Sequence, residues 1–248
     1  MKGRNLAVIV AALRPRSGVS LLTRVLADYV ILSHERPLIF DTDAEEKRLN
    51  AYFPQLAKVI DLARVQGQMA LFDTLAGGGP EKRLVDVAHR SFRRFFDQMH
   101  DIDCVAEARA RRIEPIIFYI VGRDAESYEQ GQTLCARFDC PVVIVENGFL
   151  GEPRPEARRS RPYAALARHP LRMHMAALDP LLADMIGDPR LSLSAFMRGE
   201  MENLPLAYLS REWRSSLRAW VMKMFKEIHR VTQPPAEPAH APLDGAIG

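Results

Sequence analysis

Two stretches of the chain, Ile116–Val121 (IIFYIV) and Val142–Val145 (VVIV), carry apolar or aromatic side chains at every position. Alternate residues of a strand point to opposite faces of its sheet. An unbroken apolar run therefore needs cover on both sides, a condition met by parallel sheets flanked by helices. Short runs of similar kind recur at Leu6–Ala12, Leu38–Phe40 and Arg83–Ala88 (RLVDVA), and the segments between them have helical spacing. Strands alternating with such segments mean βαβ crossovers and a mostly parallel α/β sheet.

The helices follow from apolar periodicity and from breakers. Ser20–Ser33 is helical and ends before Pro37, which cannot continue a helix. Glu45–Tyr52 is a short polar helix or turn, and Lys58–Leu62 a third, short strand. Gln66–Leu75 is helical until Gly77-Gly78-Gly79-Pro80; a rival parse makes Met69–Thr74 a strand instead. Ser91–Arg112 reads as one long helix with Phe92, Phe95, Phe96 and Met99 on its apolar face, and Ala125–Phe138 as another. Pro141–Glu146 closes this part of the chain, an α/β domain over residues 1–150.

Composition changes beyond that point. Gly151–Arg161 has no apolar periodicity and is expected to be a surface loop. Tyr163–Ile186 is rich in Ala, Leu and Met and is expected to be helical, as is Leu191–Met201. Leu206–Val231 places Trp213, Leu217, Trp220, Met224 and Ile228 at steps of three or four, which gives one apolar face. Residues 151–232 thus read as a helical extension packed on the first domain, and 233–248 as a disordered Pro/Ala-rich tail.

The first crossover carries the chemistry. A strand, Leu6–Ala12, runs into a polar loop, Arg14–Gly18, and then into a helix. The N–H groups that open a helix are unpaired and its dipole favours an anion there, so this arrangement suits phosphate. A Walker A loop requires Gly-x-x-x-x-Gly-Lys-Ser/Thr. Leu13 stands at the first glycine, Gly18 at the second, Val19 at the lysine and Ser20 at the hydroxyl that meets Mg²⁺. An ordinary turn with Ser17 or Ser20 as helix cap is the competing reading.

The net charge of +3 gives no bulk polyanion signal, although arginines concentrate in Arg154–Arg172 and Arg211–Arg230. Cys104, Cys135 and Cys140 show no metal spacing, and the seven histidines are scattered. No run approaches the ~20 apolar residues that span a bilayer, and the basic N-terminus leads into Arg14-Pro15-Arg16 rather than a cleavage site. A cytoplasmic protein with reduced thiols is the expectation.

Four landmarks in order complete the pattern: the loop RPRSGVSL (Arg14–Leu21), the strand end Asp41-Thr42-Asp43, the Asp86 of LVDVA, and Asn147 at the end of the last strong strand. Together they resemble the ParA/MinD family of partition and positioning ATPases, whose deviant Walker A reads KGGVGKTT. The resemblance covers about the first 150 residues. It implies a P-loop NTPase-like fold, ATP or ADP with Mg²⁺ as ligand, and a phosphate site built from Arg14, Arg16, Ser17, Gly18, Val19, Ser20 and Leu21. Arg14 falls at the family's signature lysine. It implies Ser20 and Asp86 (or Asp73 in the rival parse) as Mg²⁺ residues, Asp41 and Asp43 as catalytic acids, and Asn147 against adenine.

The departures matter. Val19 removes the lysine that neutralises the phosphates, Pro15 removes an N–H from the cradle, and Arg16 replaces a glycine. Phosphoryl transfer depends on positioned positive charge, so efficient hydrolysis is not expected. The leading reading is a weak nucleotide binder or pseudo-ATPase acting as a partner-regulating switch or scaffold. One alternative is an active ATPase for DNA partition or cellular positioning, with Arg14 and Arg16 in place of the lysine. Another is an adaptor that meets DNA or an anionic membrane through its C-terminal basic helices. A protein partner and a homodimer are both compatible with the family.

Overall fold

A computed structural model describes residues 5–77, 79, 81–200 and 210–233. Seven strands form one sheet: β1 (Leu6–Ala11), β2 (Leu38–Asp41), β3 (Ala57–Val59), β4 (Arg83–Val87), β5 (Glu114–Val121), β6 (Val142–Asn147) and β7 (Arg172–Met175). Their order is β3-β2-β4-β1-β5-β6-β7, and every pairing is parallel.

The alternation in β1 shows why both sheet faces are covered. Leu6, Val8 and Val10 enter one core, and Ala7, Ile9 and Ala11 the other. The first core is closed by α1 (Val19–Leu32) and α2 (Arg48–Tyr52) early in the chain. The second is closed by α3 (Val65–Ala76), α4 (Phe92–Asp101), α5 (Cys104–Ala110), α6 (Ala125–Arg137), α7 (Pro155–Arg158) and α8 (Arg161–Ala167). The first core is then completed by α9 (Pro180–Ile186), α10 (Leu193–Arg198) and α11 (Arg211–Thr232). The mostly parallel α/β class is therefore observed, with the long C-terminal helix α11 on one face.

Several expectations are corrected. The helix expected over Ser91–Arg112 breaks into α4 and α5 at Asp103, whose φ of 49° is left-handed. The reason is phase. Phe92, Phe95, Phe96 and Met99 would be continued by Asp103 and Ala106, whereas Cys104, Val105 and Ala108 are the residues buried, so the chain resets between the two sets. The loop expected over Gly151–Arg161 contains α7, opened by Pro155, and buries Ala157. The helix expected over Tyr163–Ile186 is interrupted by β7, which pairs with β6. In β7, Met173 and Met175 are buried while His174 between them is exposed, a period of two. Pro170 and Pro180 bracket this strand and bar a continuous helix.

The rival parse of Met69–Thr74 as a strand falls as well, since these residues lie inside α3. The expected Lys58–Leu62 strand is shorter and shifted, Ala57–Val59. Residues 201–209, where the last helix was expected to begin, and residues 234–248 lie outside the described residues.

The α11 stripe is buried as its spacing requires. Trp213, Leu217, Trp220, Met224 and Ile228 all lie in the first core, and the Trp220 indole N–H donates to the Ala176 carbonyl at 2.9 Å. Tyr29 of α1 meets Phe225 edge to face. Arg211, Arg214, Arg218 and Lys226 lie on the exposed side. The apolar face is thus spent on the sheet and is not available to a membrane, and no helix among the described residues is long and apolar enough to cross one.

Leu217→Ala, at a fully buried position, is expected to cost about 3 kcal/mol. The exposed Lys223→Ala is expected to cost within about 0.5 kcal/mol. Chemical denaturation of both variants checks this, and equal effects would place the stripe outside the core.

Candidate functional site

The loop after β1 leaves the sheet at its carboxyl edge, where ligands bind in open α/β folds. Arg16 (φ 56°) and Gly18 (φ 97°) both take left-handed backbone. The Ser17 hydroxyl is buried and donates to the Arg14 carbonyl at 2.8 Å, closing the loop on itself. From the end of β6, Asn147 Nδ2 donates to the Ser17 carbonyl at 2.8 Å, while its Oδ1 accepts from the Phe149 N–H at 3.0 Å. Gly18 is required twice. Its φ disfavours a side chain, and an added Cβ would stand 2.7 Å from the Met175 methyl and 2.8 Å from Asn147 Nδ2. The loop is therefore held by backbone proximity to β6 and β7.

The first N–H of α1 to bond back is that of Leu22, to the Gly18 carbonyl at 3.0 Å. The N–H groups of Val19, Ser20 and Leu21 precede it, at the terminus where helices leave donors open. These three residues line a cavity of about 580 Å³, as does the whole stretch Arg14–Leu21. Its other wall is formed by Asp43, Glu46, Arg48, Asp86 and Arg90. A second cavity of about 260 Å³ adjoins it, and Arg16, Gly18, Ser20, Leu21 and Arg48 line both. The smaller one is more apolar, with Tyr52, Phe149, Leu178 and Ile186 in its wall, together with Asn147.

Asp86 is the electrostatic centre. It sits near the end of β4, in register with Asp41 on β2. The residue is 3 % exposed, and its Oδ2 has no hydrogen-bond partner. Burial pushes its pKa up to about 8; neighbouring Asp41 and Asp43 add to the rise, while Ser20 and Arg48 ease it. Of the two candidates for the Mg²⁺ aspartate, Asp86 and Asp73, only Asp86 lines the cavity. Asp73 lies inside α3, and Asp61 accepts from the Ala63 N–H at 2.9 Å beside Arg64.

Asp41 lies beneath the site rather than in its wall. Its two oxygens accept from the N–H groups of Asp43 (3.0 Å) and Leu49 (2.9 Å), and burial raises its pKa. Asp43 does line the cavity, with Oδ1 accepting from the N–H groups of Glu45 and Glu46 and lying 3.4 Å from Arg90. Arg14 turns outward. Its guanidinium meets Asp124 at 3.0 Å and Glu126 at 2.5 Å, and the Asp124 carboxylate leads in raising its pKa. Asp124 also caps α6 through the Ser127 N–H.

Sequence reasoning missed Arg48, Tyr52, Arg90 and Phe149. Arg90 follows a strand end, a position that was legible. Nothing local indicated that α2 would face the loop, because its placement depends on the bonds to Asp41.

The sequence matches no protein-family model. No curated protein sequence matches it either. Solved structures do resemble it. A chain of the MinC:MinD cell division protein complex of Aquifex aeolicus aligns with a TM-score of 0.50 at 11% identity, covering 93% of this chain and 97% of that one. A plasmid partition protein from Borrelia burgdorferi bound to AMPPNP aligns at 0.47 and 11% identity, over 91% and 99%. Another partition protein from that organism aligns at 0.44 and 10% identity, over 79% and 100%. The likeness to the MinC:MinD chain shows a shared α/β fold.

Gly18→Ala is expected to destabilise by about 2 kcal/mol or more through strain and collision. Gly199→Ala, at the C-cap of α10 in left-handed backbone (φ 85°), has nothing within 4 Å of its Cβ and is expected to cost about 1 kcal/mol. Comparable losses in denaturant titrations would remove the close approach of Asn147 and Met175. Asp86 gives a pH signature. Its native pKa of about 8 lies above the ordinary 3.8, so its contribution to stability is present in acid and is lost as pH rises through 8. The advantage of Asp86→Asn over wild type should grow between pH 5 and pH 8 by on the order of 3 kcal/mol. A flat difference in melting curves would mean that the native carboxyl is already ionised at pH 5.

Proposed function

We propose that this chain is a ParA/MinD-like nucleotide switch with weak affinity for ATP or ADP and negligible turnover, a pseudo-ATPase whose ligand state is read by a protein partner. The observation that carries this reading is the division between shape and charge in the loop. Val19, Ser20 and Leu21 line the cavity at the helix terminus, where N–H groups left open by the helix favour an anion. The lysine position holds Val19, and Arg14 is neutralised by Asp124 and Glu126. The loop thus offers helix-terminal donors without the cation that phosphoryl transfer depends on.

The residues present fit Mg²⁺. Asp86 offers a buried carboxylate oxygen with no partner, and the Ser20 hydroxyl lies beside it. Both are hard oxygen donors of the kind Mg²⁺ takes. Bound there, the ion would offset phosphate charge and favour loss of the Asp86 proton. Asp43 is the cavity acid placed to orient a water, and Asp41 positions the backbone that carries it. The more apolar cavity beside Asn147 suits the base.

The test is calorimetry with Mg-ATP on the full chain, paired with a phosphate-release assay. Wild type is expected to bind saturably and to release phosphate at the background rate. Val19→Lys is expected to tighten binding about tenfold by adding one charge-assisted hydrogen bond. Absence of binding at millimolar Mg-ATP would sink the nucleotide reading. Rapid phosphate release by wild type would instead favour the active-ATPase alternative.

A further inference from the structure

We propose that Arg48, at the start of α2, is the cation that meets the ligand's phosphates in place of the lysine missing at Val19; this rests on the nucleotide reading above. The loop lacks its own cation, so another part of the chain must supply positive charge if phosphate is to bind there.

The arginines around the two cavities differ in how far they are committed. Arg14 is closed by Asp124 and Glu126. Arg90 is closed by Asp43 and by Glu45 at 2.5 Å. Arg24 is fully buried, donates to the carbonyls of Ile186 and Leu191, and lies 3.9 Å over the Tyr52 ring. Arg16 and Arg48 are the two that line both cavities, at the junction where a phosphate chain would pass from the loop toward an apolar group.

Arg48 has the better support of these two. Arg16 sits on the loop itself in left-handed backbone. Arg48 stands on a helix whose position is fixed from below, with the Leu49 N–H held by Asp41 Oδ2 and the preceding turn held by Asp43. Its ion pair is with Glu46, through Nε at 2.5 Å, and the side chain is 60 % exposed, so the outer nitrogens can turn to a ligand. One turn on, Tyr52 enters the wall of the smaller cavity. The same short helix thus presents a guanidinium toward the phosphates and an aromatic ring toward the base. Guanidinium binds phosphate with paired donors.

Calorimetry on the full chain tests this with three probes: Mg-ATP, inorganic tripolyphosphate and adenosine. Arg48→Gln should weaken Mg-ATP and tripolyphosphate about tenfold or more and leave adenosine unchanged. Glu46→Gln, which releases Arg48 from its ion pair, should tighten both phosphate probes. Melting curves confirm folding, since Arg48 is exposed. Equal affinities of wild type and Arg48→Gln for both phosphate probes would overturn the assignment, as would a loss carried by Arg16→Gln alone. Wild type inert to all three probes would overturn the nucleotide reading itself, and this inference with it.

Discussion

Burial of β1 on both faces is the constraint on which the rest of the molecule depends. No residue of Leu6–Ala11 is more than 2 % exposed. A strand so enclosed needs strands on both edges and helices on both faces. Partnership with β4 and β5 fixes it at the centre of the sheet. Its carboxyl end then has one way out, over the rim, and the loop Arg14–Gly18 must form there. The position of the candidate site is thus a consequence of core packing before any functional residue is considered.

Packing also holds the loop in shape. Asn147 grips the Ser17 carbonyl, and Gly18 approaches Asn147 and Met175 more closely than a side chain would permit. The strands that contribute these contacts, β6 and β7, are remote in sequence from the loop. Charge is governed separately. Asp124 and Glu126 draw Arg14 away, Asp43 and Glu45 hold Arg90, and Asp86 keeps a high pKa because burial outweighs the cations near it. A site can keep its geometry while its electrostatics change, because geometry rests on many backbone contacts and charge on a few side chains.

Much of the architecture was legible. The strands β1, β2, β4, β5 and β6 announce themselves as apolar runs, and the buried stripe of α11 follows from steps of three and four. The errors have local causes. Between α4 and α5 the apolar phase slips by one residue at Asp103, and a search for helical content passes over such a slip. At β7 an Ala-, Leu- and Met-rich composition concealed a strand of four residues, although Pro170 and Pro180 had already excluded one helix. Within the candidate site, the loop residues and Asp86 were identifiable by position, whereas Arg48 and Tyr52 were not. Their approach depends on a helix held by hydrogen bonds to Asp41, which no local pattern encodes.

The sequence by itself determined the α/β class, the alternation of strands with helices, the polar loop after the first strand, and the order of acidic strand ends. These follow from periodicity and from residue identity, which are local properties. Only the tertiary structure decided that Arg14 is bound by Asp124 and Glu126, that Asp86 rather than Asp73 faces the cavity, and that Arg48 stands across from the loop. Ion pairing and burial depend on distances between segments remote in sequence, 112 residues for Arg14 and Glu126. Those distances exist only once the sheet has brought the strand ends to a common rim.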